Sequence, residues 1–546
     1  MRRPGGLGRR GFVGGTVLGV AGAAALGVPL LGSNGRAARG ASPGKLLTSS
    51  AKLPRPYEVP LPVPEVLEPV RRSGTTDTYE ITQHEADLEI LPGLRTRAWT
   101  YGGTFPGPTL VSEAGRRTRV AHRNELPQPT VVHLHGGHTP AASDGYPTDV
   151  ILPVHGRITA ERAMRDMMAG MPGMPGMPGH GGGHHGGVSG MAEGSRVHTY
   201  PLDQRAATLW YHDHRMSWTG PAVYRGLAGF HLVRDDEEEK LPLPKGDRDI
   251  PLMITDRAFE EDGAFTYPLK HPREDPDLAR PGVTDAYMDG VLGDVILVNG
   301  APWPVHRAER ARHRLRFLNA SNARPYRLEF DPQPPGGDAF VQIGSDGGLL
   351  ERPRAHDALR IAPGERMDVV VDFSGWKPGT KVKLRNTLAE GTAREVMAFE
   401  VGDGRVAEDA EVPEALSRVA RLDPDKAVAT RDFHFRQGRD GWTINEHPYR
   451  PGRALARPKL GQTEIWRFTT SLHHPVHVHL DHFQVVSRNN GRIGPYDHGW
   501  KDTVDLPPMD AVEVAVRFTD YAGTFMLHCH NLEHEDMAMM GDFVTE

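Results

Sequence analysis

Four short stretches hold most of the residues able to do chemistry: HLHGGH from His133, WYHDH from Trp210, HPVHVH from His474 and HCH from His528. Each contains a His-x-His step. Side chains two apart on a β-strand share a face, so each step points two imidazoles the same way, as a metal site needs. In the last stretch His528 and His530 face one side and Cys529 the other. One strand can then serve two metal centres and join them through the Cys529 backbone. Cys529 is the only cysteine among 546 residues. It therefore forms no disulfide within the chain and is an apolar core residue, a reactive thiol or a ligand. One His-x-His in a β protein is most often structural. Four in one chain, one of them around the only thiol, point to metal.

Imidazole donors alone suit zinc, copper, iron or nickel. The last motif is more selective. Cys529, His534 and Met539, with His474 from an earlier strand, make a two-histidine, one-cysteine centre with a long axial methionine, the blue-copper set. Structural zinc usually takes four strong ligands and more cysteines. His133, His135, His212, His214, His477, His479, His528 and His530 remain. They are about enough for three further coppers with positions open to oxygen.

The elements that must carry these residues read as strands. Runs such as RTRVAHRNEL, TVVHLHGG, ATLWYHDH and LAGFHLVRD recur between turn signals, and 63 Gly with 47 Pro suit a turn-rich β protein. Three all-β blocks follow: 46–240, 245–405 and 415–546. The expected fold is all-β, with three sandwiches. The acidic run Asp235 to Glu239 reads as a solvated linker, and about 405–428 as a second. In the middle block Arg314, Arg316 and Leu318 alternate with Leu315 and Phe317, as in a strand. Its His271, His306, His313 and His356 are scattered, so this block reads as a copper-free spacer. Residues 161–195 hold seven methionines and three histidines amid Gly and Pro. That composition predicts a disordered surface insertion in the first block.

In their order and residues, HLHGGH, WYHDH, HPVHVH and HCHNLEHEDMAMM resemble the multicopper oxidases. HLHGGHTPAASDGYP and LEHEDMAMM are most similar to bacterial laccases related to phenoxazinone synthase and the spore-coat laccase. The resemblance implies three cupredoxin-like Greek-key domains and four coppers: one type 1, one type 2 and a type 3 pair. It implies that His474, Cys529 and His534 bind the type 1 copper, with Met539 axial. His133 and His477 would hold the type 2 copper, and His135, His212, His214, His479, His528 and His530 the type 3 pair. Asp144 and Glu535 match acidic positions thought to serve proton delivery near the oxygen site, although Asp144 also suits a turn. His138, His473 and His482 fall outside the matching positions and read as supporting or packing residues.

The activity implied is one-electron oxidation of a phenol or aminophenol near His534, coupled to reduction of dioxygen to water. A cuprous oxidase for copper tolerance is the nearest alternative, because thioether sulfur in the insertion prefers Cu(I). A copper-storage or spore-surface protein without turnover is a third. A formal charge of −6 gives no reason to expect a nucleic-acid partner. Within residues 1–45, Arg9-Arg10-Gly11-Phe12-Val13 begins a Gly/Ala-rich apolar run, which resembles a twin-arginine export signal. That predicts an extracellular or cell-envelope location and no stable membrane association once the signal is removed. Relatives of phenoxazinone synthase include large oligomers, so a homo-oligomer stays open.

Overall fold

The structure is a computed structural model that describes residues 43–156, 158–169, 190–269, 283–404, 409–438, 441–489 and 491–546. The export-type signal, apart from its last residues, and His271 lie outside them. Six sheets of four or more strands form in pairs along the chain. The first pair lies within 71–234, the second within 249–401 and the third within 430–545. The same pairing recurs in each. Thr76–Gln83 runs parallel to Arg117–Asn124, Asp249–Ile254 to Arg314–Asn319, and Thr430–Phe435 to Ile465–Thr470. The opposite sheet of each pair also has one parallel contact, at Gly107–Glu113, Val305–Ala308 and Ala454–Ala456. Parallel strands cannot be joined by a tight hairpin. The recurring crossover is therefore one Greek-key sandwich used three times, the cupredoxin-like arrangement.

Each sandwich closes over its own apolar core, built around residues such as Tyr101 and Leu134, Phe317 and Phe399, and Trp466 and Phe543. An outer strand such as Arg117–Asn124 alternates exposed and buried residues, as a half-covered strand must. Three of the strands that carry the histidine motifs are buried along their whole length, and the fourth is buried from Phe525 onward. They are covered on both faces because two sandwiches meet there. Four site strands are labelled in chain order: β1 (Val132–His135), β2 (Ala207–Asp213), β3 (His474–Val478) and β4 (Gly523–Cys529). Two short helices serve the site, α1 (Thr219–Arg225) and α2 (Leu532–Asp536).

Two sequence expectations need correction. The acidic run is not a solvated loop. Asp236–Glu239 is a helical turn whose buried Glu238 accepts from Arg314 at 2.9 Å and Arg316 at 3.2 Å. Those two arginines sit on a strand, as expected, but their face is as buried as the apolar one. They also meet Asp249 and Asp368, so the charges are paired inside a joint between sandwiches. Nor is the whole Met/His-rich stretch disordered. Ala160–Ala169 is a helix whose Ala163 and Met167 are buried against Met216, Met526 and Met540. Spacing of three and four residues puts Ala163, Met164 and Met167 on one stripe. The repeats at 170–189 lie outside the described residues. No helix among the described residues is long and apolar enough to cross a membrane.

Candidate metal centres

β1 and β2 are antiparallel and set His133 opposite His212. β3 and β4 do the same for His477 and His528, and for Val476 and Cys529. His214, His479 and His530 follow directly on the strand ends, held by backbone bonds to Val131, Met526 and Pro475. The first and last sandwiches thus each present four imidazoles to one cavity. None of the eight is more than 2% exposed. Across the joint, Nε2 of His214 lies 3.2 Å from Nε2 of His528, and Nε2 of His477 lies 3.4 Å from Nε2 of His133. The ring of His135 stacks on His477 with centroids 3.7 Å apart.

Hydrogen bonds orient the rings. Nδ1 of His133 donates to the Asp144 carbonyl, His212 to Asp213, His477 to Asp502 and His528 to Cys529. Nδ1 of His479 donates to the Asp144 carboxylate at 2.7 Å. Each bond leaves the Nε2 lone pair turned into the cavity. His135 is reversed: its Nε2 meets Asp502 Oδ1 at 3.0 Å, and its Nδ1 has no partner. His212 Nε2 and both nitrogens of His530 are also unpartnered. A buried polar atom left unpaired costs about 1–3 kcal/mol. Several in one cavity is the donor set of a cation site. Burial pushes His212 down to about 3 and His214 down to about 4. At neutral pH these imidazoles carry the free lone pair that metal binding requires. Donor triples close enough to share one ion include His133–His135–His212, His133–His477–His479 and His214–His479–His528.

The second cluster lies in the core of the last sandwich. Nδ1 of His474 is 3.3 Å from Cys529 Sγ, Nδ1 of His534 is 3.6 Å from the same sulfur, and the two nitrogens are 3.0 Å apart. An ion about 2.0 Å from each nitrogen and about 2.3 Å from sulfur fits a triangle of nearly this size. Cys529 is wholly buried, which pushes its thiol well up, and the Asn531 N–H donates to its sulfur at 3.4 Å. Met539 is buried in the same core, and its carbonyl accepts from Cys529 N at 3.1 Å. The Trp442 ring lies on His534 with centroids 3.8 Å apart.

Two acids flank the histidine cavity. Asp144 ends a single helical turn, Ala141–Asp144, and burial raises its carboxyl well above the usual range. Gly145 follows at φ 84°, where a Cβ would stand 2.4 Å from the Val132 carbonyl. Only glycine lets this turn lie against β1. Glu535 is buried on α2, accepts from Thr219 Oγ1 at 2.6 Å and lies 3.2 Å from Nδ1 of His528. Burial works to raise it, but the His528 and His214 imidazoles outweigh that and hold it below the usual range.

Sequence reasoning missed Asp502, Arg366, Thr219 and Asp536. Asp502 touches His135, and its backbone carbonyl accepts from His477. Arg366 of the middle sandwich clamps Asp502 with two nitrogens, the Nη1 contact at 2.7 Å. Gly364, beside it, lies against the His530 and His135 rings, where a Cβ would come within 2.9 Å of His530. The middle block supplies no histidine to either cluster among the described residues, but it walls the cavity and is more than a spacer. The Asp536 carboxylate accepts from the Thr219 and Gly220 N–H groups. The one sequence clue was charge inside apolar runs, as at WKDTVDL. His138, His473 and His482 each face a carboxylate outside the clusters.

Three cupredoxin-like sandwiches, with a His/His/Cys triangle one residue removed from an interdomain cavity of eight histidines, define the class of copper oxidases with several metal centres. Two family models, each described as multicopper oxidase, match residues 82–166 and 421–546. The laccase of Bacillus stratosphericus is 36% identical, over 88% of this chain and 97% of its own. The bilirubin oxidase of Albifimbria verrucaria is 32% identical, over 89% of this chain and 81% of its own. The crystal structure of a multi-copper oxidase from Pediococcus acidilactici superposes with a TM-score of 0.75 at 30% identity, covering 92% of this chain and 93% of that one. McoA of Aquifex aeolicus superposes at 0.73, with 29% identity, 89% and 99%. The chain belongs to the multicopper oxidases, in the laccase-like bacterial group. It is an oxidoreductase that uses oxygen as acceptor, and copper is the metal its family implies.

Proposed function

We propose that this protein oxidises phenolic or aminophenolic compounds one electron at a time beside His534 and reduces dioxygen to water among the eight histidines. Four copper ions, one type 1, one type 2 and two type 3, would supply the electron relay and the oxygen chemistry. His474, Cys529 and His534 would hold the type 1 ion, with Met539 axial. His133 and His477 would hold the type 2 ion, and His135, His212, His214, His479, His528 and His530 the type 3 pair. Asp144 and Glu535 would handle protons, the first through His479 and the second beside His528 and His214, both within reach of the cavity. One observation carries the reading: β4 places Cys529 in the triangle and its neighbours His528 and His530 in the cavity. The laccase and bilirubin oxidase relatives favour an organic reductant over Cu(I). The cuprous alternative leans on the thioethers of the insertion, and of the described ones Met167 is buried in a core, with Met164 and Met191 packed against it.

The test is colour and turnover. A thiolate bound to Cu(II) absorbs strongly toward the red, so the copper-loaded protein should be blue and consume oxygen with 2-aminophenol. Cys529→Ser should lose both, since no second thiol exists to replace it. A blue serine variant that still oxidises aminophenol would refute the assignment. Faster oxygen uptake with Cu(I) than with any organic reductant would favour the cuprous oxidase instead.

A further inference from the structure

The triangle of His474, Cys529 and His534 has no face open to solvent. His474 and Cys529 are fully buried, and His534 is 2% exposed. Every side of His534 is taken. Its Nδ1 looks into the triangle. The Trp442 ring, itself fully buried, lies on one face. On the Nε2 edge the Asp289 carbonyl accepts from the imidazole and from Asn531 Nδ2, the latter at 3.0 Å. The preceding carbonyl, of Met288, accepts from Trp442 Nε1 at 3.0 Å. Two consecutive carbonyls, just past the turn Asp285–Tyr287, therefore seal the imidazole.

The seal is fixed in place. Gly290 has φ 131°, and a Cβ there would stand 2.5 Å from the Pro43 carbonyl and 2.9 Å from Asn531 Nδ2. Its carbonyl accepts from Lys45 N at 2.8 Å. The turn is thus clamped between the strand at Pro43–Leu46 and the last sandwich, and no reductant reaches the imidazole while it holds. We propose that reductants dock outside this turn, against the exposed Asp289, and that the electron enters through the Asp289 carbonyl to His534. This rests on the reading that the triangle holds the copper that takes the electron. The donor loses one electron to that ion, and no bond forms or breaks. Asp289 is then a specificity-determining residue. Asp285 and Asp289 are both exposed on the turn, and the Lys45 ammonium lies 4.9 Å over the Tyr287 ring between them. Two carboxylates against one ammonium draw cationic donors to the entry point and turn anions away.

The experiment is anaerobic reduction of the copper-loaded full-length protein, followed by the bleaching of its blue absorbance in a stopped-flow mixer. Two donors that pass electrons without bonding to the protein are compared: hexaammineruthenium(II), a dication, and the iron(II)–EDTA dianion. In the wild type, raising the salt to roughly 1 M, where the screening length falls to about 3 Å, should slow the dication and speed the dianion. Asp289→Lys should shift the ratio of the two rates toward the dianion by about tenfold at low salt, with copper content and colour unchanged. Asp236→Lys makes the same charge change on an exposed helical turn elsewhere and should leave the ratio near wild type. An unshifted ratio in Asp289→Lys, or an equal shift in Asp236→Lys, would overturn the entry point while the ligand assignment stands. A wild type that binds copper yet never turns blue would overturn the ligand assignment, and the entry point with it.

Discussion

At the scale of single residues, position relative to a strand decides role. Cys529 and His528 are covalent neighbours, yet one lies in an apolar core and the other in an imidazole cavity. Period-two alternation made that separation legible before any coordinates, as it did the pairing in each His-x-His step. Asp144 and Glu535 are separated in the chain, but both lie against the cavity's imidazoles. Asp144→Asn and Glu535→Gln preserve shape and remove the exchangeable acid. Both should leave the blue absorbance intact and slow oxygen uptake, by about a hundredfold or more. Turnover equal to wild type in both variants, measured from acid to neutral pH, would take the two carboxyls out of the reaction. What the sequence hid at this scale was Asp502. It lies in no histidine motif, and its partners Arg366 and His135 are 136 and 367 positions away.

Elements show the cost of that long-range wiring. The strand that carries Arg366 belongs to a sandwich without a histidine in either cluster among the described residues, yet its guanidinium holds Asp502 against His135. Arg366→Met would leave a buried carboxylate unpaired, which costs about 3–5 kcal/mol. The variant should show a lower melting temperature and reduced copper occupancy at the non-blue mononuclear site, read by electron paramagnetic resonance. Arg366→Lys keeps the charge and loses the two-pronged geometry. It should recover most of the melting temperature and less of the resonance signal. Equal recovery of both would reduce Arg366 to a stability role. α1 and α2 make a similar joint. Asp536 bonds the first N–H groups of α1, and this sets Thr219 on Glu535. Neither helix was visible in the sequence, because seven and five residues are too few for a 3.6-residue period to declare itself. Ala160–Ala169 was misread for another reason. Its Gly/Pro/Met-rich surroundings dominated the composition and hid the apolar stripe at Ala163, Met164 and Met167.

For the whole molecule, three repeats of one sandwich were legible from turn spacing and strand runs, and the joints were not. The arginines on Arg312–Asn319 were legible only as one face of a strand and their burial was not, because a strand pattern cannot tell water from a neighbouring sandwich. Removing residues 170–189 while keeping the helix before them should leave the fold and copper content unchanged, since a segment of Gly, Pro and Met repeats has the composition of an insertion that builds no core. Phenol oxidation should hold or rise. A fall confined to Cu(I) oxidation would mark the repeats as a cuprous capture segment, and equal loss of both activities would rule that out. Arg9→Lys with Arg10→Lys should retain the protein in the cytoplasm, as cell fractionation would show. Unchanged export would exclude the twin-arginine route.

The cavity of eight histidines takes His133, His135, His212 and His214 from one end of the chain and His477, His479, His528 and His530 from the other. A ribosome must make almost the whole polypeptide before that cavity can exist. A truncated or half-folded product holds at most one side of it. Under the proposed function the layout would be an interlock: oxygen reduction would stay switched off until both sets of histidines have docked.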